Sequence, residues 1–394
     1  MRNSELKLSS VSVLFAAHLI NDMYTNFLPQ LVAVLIAFRT LSVGAGSALV
    51  AVFTISSSVV QPVFGYLVDQ KGQRWLLFVG TLWMALLLGS TGYISNYPLL
   101  FIVSALSGLG TAAFHPQAAA MVGQASDKNK GLVMSSFIAM GTIGLALSPL
   151  LLLPLFHTYG TKYTWLAFFP GILATILLYR YAPRVSKEKN NGPKLSQALS
   201  DLKKSSTELT KLMLVVALRS LTHTGLMTLL PVYFLSQKLS SQNTGLLMFA
   251  TLIAGAVGGI IGGYISDRFG RKPLIVSSLI MASIFFNGFL LTKGLLSIAL
   301  LVLGGMALLS SFSVTVVIAQ EIIPENKALA SGLSLGFAIG IGGLAVSLIG
   351  KYAEIFSLSS AIHLLFYIPL FAGLMGLSLK GTIETHSCRS KTIS

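Results

Sequence analysis

The sequence predicts an all-α membrane protein, twelve transmembrane helices in two pseudo-symmetric six-helix bundles. Three observations lead there. Of its 394 residues 54% are hydrophobic and 10% charged, where ordinary soluble domains carry about 25% charge. The apolar residues collect in runs close to the ~20 residues a spanning helix requires. A stretch at Gly65–Trp75, GYLVDQKGQRW, also returns at Gly263–Pro273 as GYISDRFGRKP, with Asp69 and Asp267 198 residues apart, almost half the chain. Duplication at half-length marks a bundle built from two parallel copies. Helices are expected throughout because lipid offers backbone polar groups no partner of its own.

The runs place spans at roughly 11–38, 43–68, 75–95, 99–124, 131–157, 164–182, 211–236, 243–266, 274–293, 296–322, 327–351 and 358–380. They divide the chain into a first half, 1–182, a linker, 183–210, and a second half, 211–394. The linker is the widest polar interruption, rich in Lys, Ser and Asn. With the N-terminus inside, 21 of the 27 Lys and Arg fall on one face and 5 on the other, and Arg219 lies within a span. The excess marks the cytoplasmic face, so both termini and the linker are expected in the cytoplasm of a cell whose inner membrane, of bacterial type, holds the chain. The same rule accounts for a net charge of +15 with no nucleic-acid partner. Cys388 is the one cysteine, which excludes an internal disulfide framework and a cysteine-based metal site. No metal and no cofactor are expected. The first apolar run is too long, and too polar at His18, Asn21 and Asp22, for a cleaved signal peptide.

The first span contains HLINDMYTNFLPQL, in which His18, Asp22, Asn26 and Gln30 stand four apart and share a helix face, with Asn21 and Thr25 beside it. A carboxylate facing lipid costs several kcal/mol, so this face should look into the bundle or a water-filled cavity. There Asp22 is either a proton or substrate handle or a structural acid paired to another helix. Between the second and third spans stand Gly65, Asp69, Gly72 and Arg74; between the eighth and ninth, Gly263, Asp267, Gly270 and Arg271. Positive-inside charge alone would explain the basic residues but not the duplicated Gly and Asp.

The fourth span, with GLGTAAFHPQAAAM, sets Thr111 and His115 four apart and places Gln117 just past Pro116, which removes a backbone donor mid-helix. His115 is either a core histidine satisfied by its neighbours or a cavity residue. The fifth carries Gly141, Gly144, Ser148 and Pro149, small residues suited to close helix packing. Gly343 and Ser347 echo it in the eleventh, where Gly332, Gly336 and Gly340 add a second stripe. The seventh, ALRSLTHTGLMTLLPVYF, aligns with the first when Pro231 is set on Pro29, which brings His223 opposite Asn21. Arg219 and His223 share a face. Arg219 either snorkels to the cytoplasmic end or points inward with His223, giving cations that face the acid of the first half and attract an anionic solute. Gln320 and Glu321, ending the tenth span, are expected in the headgroup region.

Gly-x-x-x-Asp-x-x-Gly-x-Arg at 65–74, with its repeat in the second half, resembles the signature loop of the major facilitator superfamily. The resemblance covers essentially the whole chain. It implies a monomer in the lipid bilayer whose two halves rock about a central site for a small-molecule substrate. It assigns Gly65, Asp69, Gly72, Arg74, Gly263, Asp267, Gly270 and Arg271 to bracing the halves in one conformation. His18, Asn21 and Asp22, taken with Phe114-His115-Pro116, resemble the fosmidomycin-resistance branch, which exports drugs in exchange for protons. That branch carries Glu directly after the His-Pro pair where this chain has Gln117, which shifts proton handling toward Asp22 and His115. Gly144 to Pro149 resembles the Gly-x-x-x-Gly-Pro element of drug antiporters, with Ser148 in place of the second Gly.

The expectation is therefore a proton-coupled antiporter exporting a small amphipathic or anionic compound by alternating access. Its cavity would draw on His18, Asn21, Asp22, Asn26, His115, Gln117, Arg219 and His223. The alternative is a proton-coupled importer or uniporter of a nutrient such as a sugar, organic acid or siderophore. No Ser/His/Asp cluster, phosphate-binding loop or metal spacing suggests an enzyme.

Overall fold

The computed structural model describes residues 8–37, 40–41, 43–71, 73–124, 129–183, 195–239 and 241–380. Gly72 of the first signature loop lies outside them. In chain order the helices are α1 Leu8–Thr25, α2 Phe27–Ala37, α3 Val43–Ser58, α4 Gln61–Lys71, α5 Trp75–Ser90, α6 Tyr97–Val122, α7 Lys130–Tyr159, α8 Phe168–Tyr181 and α9 Leu195–Lys204. They continue as α10 Ser206–Ser236, α11 Ser241–Phe269, α12 Arg271–Leu291, α13 Gly294–Ser310, α14 Phe312–Ile322, α15 Lys327–Ser331, α16 Ala338–Ile355 and α17 Leu358–Gly376. Among the described residues there is no strand, and ten helical stretches are long and apolar enough to cross a membrane. The expected first span is the pair α1–α2, and the expected seventh lies on α10.

Proline chemistry sets several of the interruptions. Pro29 has no N–H for the carbonyl of Thr25, and the helix breaks at Asn26. Pro149 likewise leaves the carbonyl of Leu145 without its helical donor, and Nδ2 of Asn26 donates to that carbonyl at 3.1 Å. The residue at the break in α1–α2 thus satisfies the defect in α7, as a buried carbonyl requires. α3 and α4 part at Val59 and Val60, just before Pro62. A π-helical turn, Gly332–Phe337, joins α15 to α16, a geometry that concentrates at functional sites.

Burial follows the apolar faces. Leu212, Leu226, Phe286 and Phe366 anchor a core made mostly of helices α10 to α17, while Phe27, Leu28 and Phe156 anchor one among α1 to α8. A further cluster around Phe114 and Phe137 reaches across to Val316 and Val317 of α14. Within the stretch expected as linker, α9 is ordered on the bundle: Ala198 is buried, and Nδ2 of Asn326 donates to Asp201 at 3.3 Å.

The two signature aspartates make reciprocal contacts. Oδ1 and Oδ2 of Asp69 accept from the N–H groups of Ala328 and Leu329 at 3.0 and 2.7 Å, in the first turn of α15. Asp267 accepts from Gly131 and Leu132 at 3.0 and 3.1 Å, in the first turn of α7. A helix N-terminus offers unpaired N–H groups and favours negative charge, so each carboxylate caps a helix from the other end of the chain. Gly65 and Gly263 allow the approach: a Cβ on Gly65 would stand 2.7 Å from Leu329 Cα, and one on Gly263 2.8 Å from the Gly131 carbonyl carbon. Arg74 instead donates to the carbonyls of Leu178 and Tyr179 that end α8, at 3.1 and 2.6 Å. Arg271 pairs with Glu321 of α14, and Gly270 takes φ +94° ahead of α12, a conformation glycine adopts without strain. Gln320, expected in the headgroup region, packs inside the protein rather than at its surface. It is buried and donates to Ala119 and Ser331, because α6 and α15 close over the end of α14.

Candidate functional site

A cavity of about 170 Å³ lies where α1, α6 and α7 face α10, α11 and α14, with α3 and α4 on a third side. His18, Asp22 and Thr25 reach it from α1, Thr111 and His115 from α6, and His223 from α10. The helical spacing anticipated in α1 delivers His18 and Asp22 to one wall, and Pro116 does not stop α6 from presenting His115 beside them.

The three side chains form one cluster. Asp22 Oδ2 lies 3.3 Å from His18 Nε2, and Asp22 Oδ1 lies 3.1 Å from His115 Nε2. The donor atoms all fall within 4.8 Å of one another, compact enough for one small cation to be shared. His18 is held from behind: its Nδ1 is 2.6 Å from the carbonyl oxygen of Phe137, and its ring stacks on that of Phe137 at 3.9 Å. A carbonyl oxygen can only accept, so Nδ1 carries a hydrogen. Neutral His18 then turns a lone pair from Nε2 toward a carboxylate oxygen that is also an acceptor. The pair is attractive only when a proton stands between Nε2 and Oδ2. His115, approaching the other oxygen, donates from its own Nε2.

α7 comes close enough to hold this arrangement because it carries glycine where it crosses α1. A Cβ on Gly141 would stand 2.6 Å from His18 Cε1 and press on Asp22, and one on Gly144 would meet the Leu19 backbone, 2.9 Å from its carbonyl carbon. The small-residue stripe of the fifth span therefore sets the geometry of the acid cluster as well as helix packing.

The remaining walls differ in character. Ser57, Ser58 and Gln61 line the side made by α3 and α4, where Gln61 Nε2 donates to the Ser57 carbonyl at 2.7 Å and its buried Oε1 has no partner among the described residues. Gly255, Ala256 and Gly259 of α11 make an apolar face, and the ring of Phe312 closes it. Arg219 lies against Phe312 and outside the lining, fully buried, so it does not snorkel.

Of the cavity residues expected from sequence, His18, Asp22, His115 and His223 meet there, while Asn21, Asn26, Gln117 and Arg219 stand off the walls. Asn21 and Gln117 are buried in the packing, and Asn26 serves the α7 carbonyl. Sequence reasoning missed Gln61 and Phe312. A polar residue beside Pro62 in mid-span was a usable signal for the first; nothing singled out the second.

A helical bundle that encloses an acid-bearing cavity between two groups of spans is the form of a secondary transporter. The chain belongs to the major facilitator superfamily, whose family model matches residues 11–347. It is a multi-pass membrane transporter and not an enzyme. It is similar to the fosmidomycin resistance protein of Escherichia coli (strain K12), 29% identical over 92% of this chain and 89% of that protein. It is also similar to the MFS-type transporter YfnC of Bacillus subtilis (strain 168), 26% identical over 90% of this chain and 88% of that one. The crystal structure of the Escherichia coli fucose:proton symporter shares the fold, with a TM-score of 0.74 at 12% identity, covering 93% of this chain and 97% of that one.

Proposed function

We propose that the protein is a proton-coupled antiporter that exports a small amphipathic or anionic compound by alternating access. It would sit as a monomer in a bacterial inner membrane with both termini in the cytoplasm, its halves 1–182 and 211–394 joined through 183–210. The observation that carries the reading is the commitment of His18 Nδ1 to the Phe137 carbonyl, which leaves one exchangeable proton position between His18 Nε2 and Asp22. Filled, the cluster is neutral overall; empty, it carries one negative charge on the cavity wall. A site that changes charge in this way, opened first to one side and then to the other, ties proton entry to substrate exit. Each proton falling through the membrane potential supplies about 2.3 kcal/mol per 100 mV.

The name of the Escherichia coli relative, fosmidomycin resistance protein, supports export. The reciprocal capping of α15 by Asp69 and of α7 by Asp267 supports a gate that holds the two groups of helices together at the signature-loop end. The test uses purified protein in liposomes, a screen for solutes that move when a pH gradient is imposed, and the Asp22→Asn variant. The variant is expected to lose gradient-driven uphill movement while keeping exchange down the solute's own gradient. Full uphill transport by Asp22→Asn would remove Asp22 from the coupling. Solute and proton moving in the same direction in the native protein would make it an importer.

A further inference from the structure

We infer that Arg219 is the fixed counter-charge for an anionic group on the substrate, held behind Phe312 on the wall that faces the acid cluster. This rests on the transport reading and names the substrate class within it. Arg219 is 2% exposed and heads the fully buried side chains by volume. Its Nη1 donates to the neutral hydroxyl of Thr315 at 3.1 Å, and its guanidinium carbon lies 4.4 Å from the centre of the Phe312 ring. Among the described residues no carboxylate stands within ion-pair distance of it; Asp22 is paired with His18 and His115, Glu208 with Lys211 and Glu321 with Arg271.

A buried charge is strongly unfavourable unless it is paired and hydrogen-bonded. A guanidinium presents five N–H donors in a planar fork, and one hydroxyl and one ring face fall short of that. Phe312 itself lines the cavity, so the charge sits one aromatic ring from the space a substrate enters. One turn along α10, His223 lines the same cavity and its buried Nε2 has no partner among the described residues. A planar anion such as a carboxylate, or a sulfonate, supplies acceptors that match the fork two at a time. Rotation of Phe312 would bring the two into contact. An anion bound there also faces Asp22 across the cavity, so the negative form of the cluster and the bound anion disfavour each other, which is the relation an antiporter needs between proton and substrate.

The experiment uses the purified full chain and three probes that share one ring system: naphthalenesulfonate, naphthalenesulfonamide and naphthylmethylammonium. Dissociation constants and thermal unfolding are measured for the native protein, Arg219→Met and Arg219→Lys. A charge-assisted contact predicts that the native protein prefers the sulfonate by about tenfold or more over the other two. Arg219→Met is expected to lose that preference, and Arg219→Lys to retain part of it. Without ligand, Arg219→Met should unfold at or above the native temperature, since it removes an unpaired buried charge. Equal binding of the three probes, binding of none, an undiminished sulfonate preference in Arg219→Met, or a large drop in its ligand-free unfolding temperature would each overturn the assignment. Proton-driven transport of the ammonium probe by the native protein would sink this inference and leave the antiport reading standing.

Discussion

A single methyl group at Gly141 would perturb the acid cluster without substituting any of its members. In Gly141→Ala the new Cβ would stand 2.6 Å from His18 Cε1 and 2.7 Å from His18 Nε2, where ordinary contact begins at 3.4 Å. The shortfall at Cε1 is about 0.8 Å. His18 cannot retreat, because its Nδ1 is tied to the Phe137 carbonyl at 2.6 Å and its ring is stacked on Phe137. Asp22, which the methyl also presses, yields, and α7 must draw back from the pinned ring. Its side chain is 14% exposed toward the cavity, so it can swing into that space and be solvated there, giving up one or both histidines. With the ring pinned, the rest of the clash is relieved only by a shift of α7, an overpacking loss of about 1–3 kcal/mol, and the proton position between His18 and Asp22 is dismantled. Gly144→Ala is the matched control, since its Cβ meets the Leu19 backbone, which only a shift of α1 against α7 relieves. Overpacking of that kind costs about 1–3 kcal/mol. The assay is thermal unfolding in detergent beside gradient-driven transport in liposomes. Both variants should unfold several degrees below the native protein, and Gly141→Ala alone should lose coupling. Native coupling in Gly141→Ala would refute the pinned-histidine argument.

Three further outcomes are expected. Asp69→Asn and Asp267→Asn each leave one of two backbone N–H groups without a carboxylate oxygen, a loss of roughly 1 kcal/mol at a helix N-terminus. In a Cys388→Ser, Ser57→Cys background, both should speed labelling by a membrane-impermeant thiol reagent applied on the signature-loop side, and to similar extents; an effect from one aspartate alone would contradict reciprocal capping. Glu208, ahead of the membrane-spanning part of α10, has its carboxyl held below the usual range chiefly by its 3.0 Å hydrogen bond from Lys211. Its folded form therefore binds protons less readily than the unfolded form, so its contribution is present above the ordinary carboxylate range and is lost as pH falls through the lowered value. Glu208→Gln should accordingly reduce the unfolding temperature slightly at neutral pH, by the few tenths of a kcal/mol an exposed pair contributes, and by less once the pH falls below the carboxylate range; an equal reduction at both would assign Glu208 a packing role. Finally, Phe312→Ala should accelerate sulfonate binding relative to the native protein, seen in stopped-flow fluorescence, because the ring no longer covers Arg219; slower binding would remove Phe312 as the barrier.

The helical class and the position of the signature loops were legible in the sequence, and so was the placement of His18 and Asp22 on one face. Each depends on short-range physics: apolar run length against bilayer thickness, a four-residue period, and a motif written twice. What joins His115 to Asp22 is a separation of 93 residues, and only the packing of α6 on α1 closes it. The same is true of Phe137, whose carbonyl fixes the histidine tautomer, and of Leu145, whose unpaired carbonyl took Asn26 away from the cavity. Gln61 and Phe312 became wall residues because α4 and α14 begin at breaks beside the cavity. By itself the sequence determined that this chain fills a membrane with helices and carries an acid on one of them. Which histidines meet that acid, and which ring covers the buried Arg219, was decided by helix contacts, since a side chain's partners depend on neighbours that the local period cannot specify.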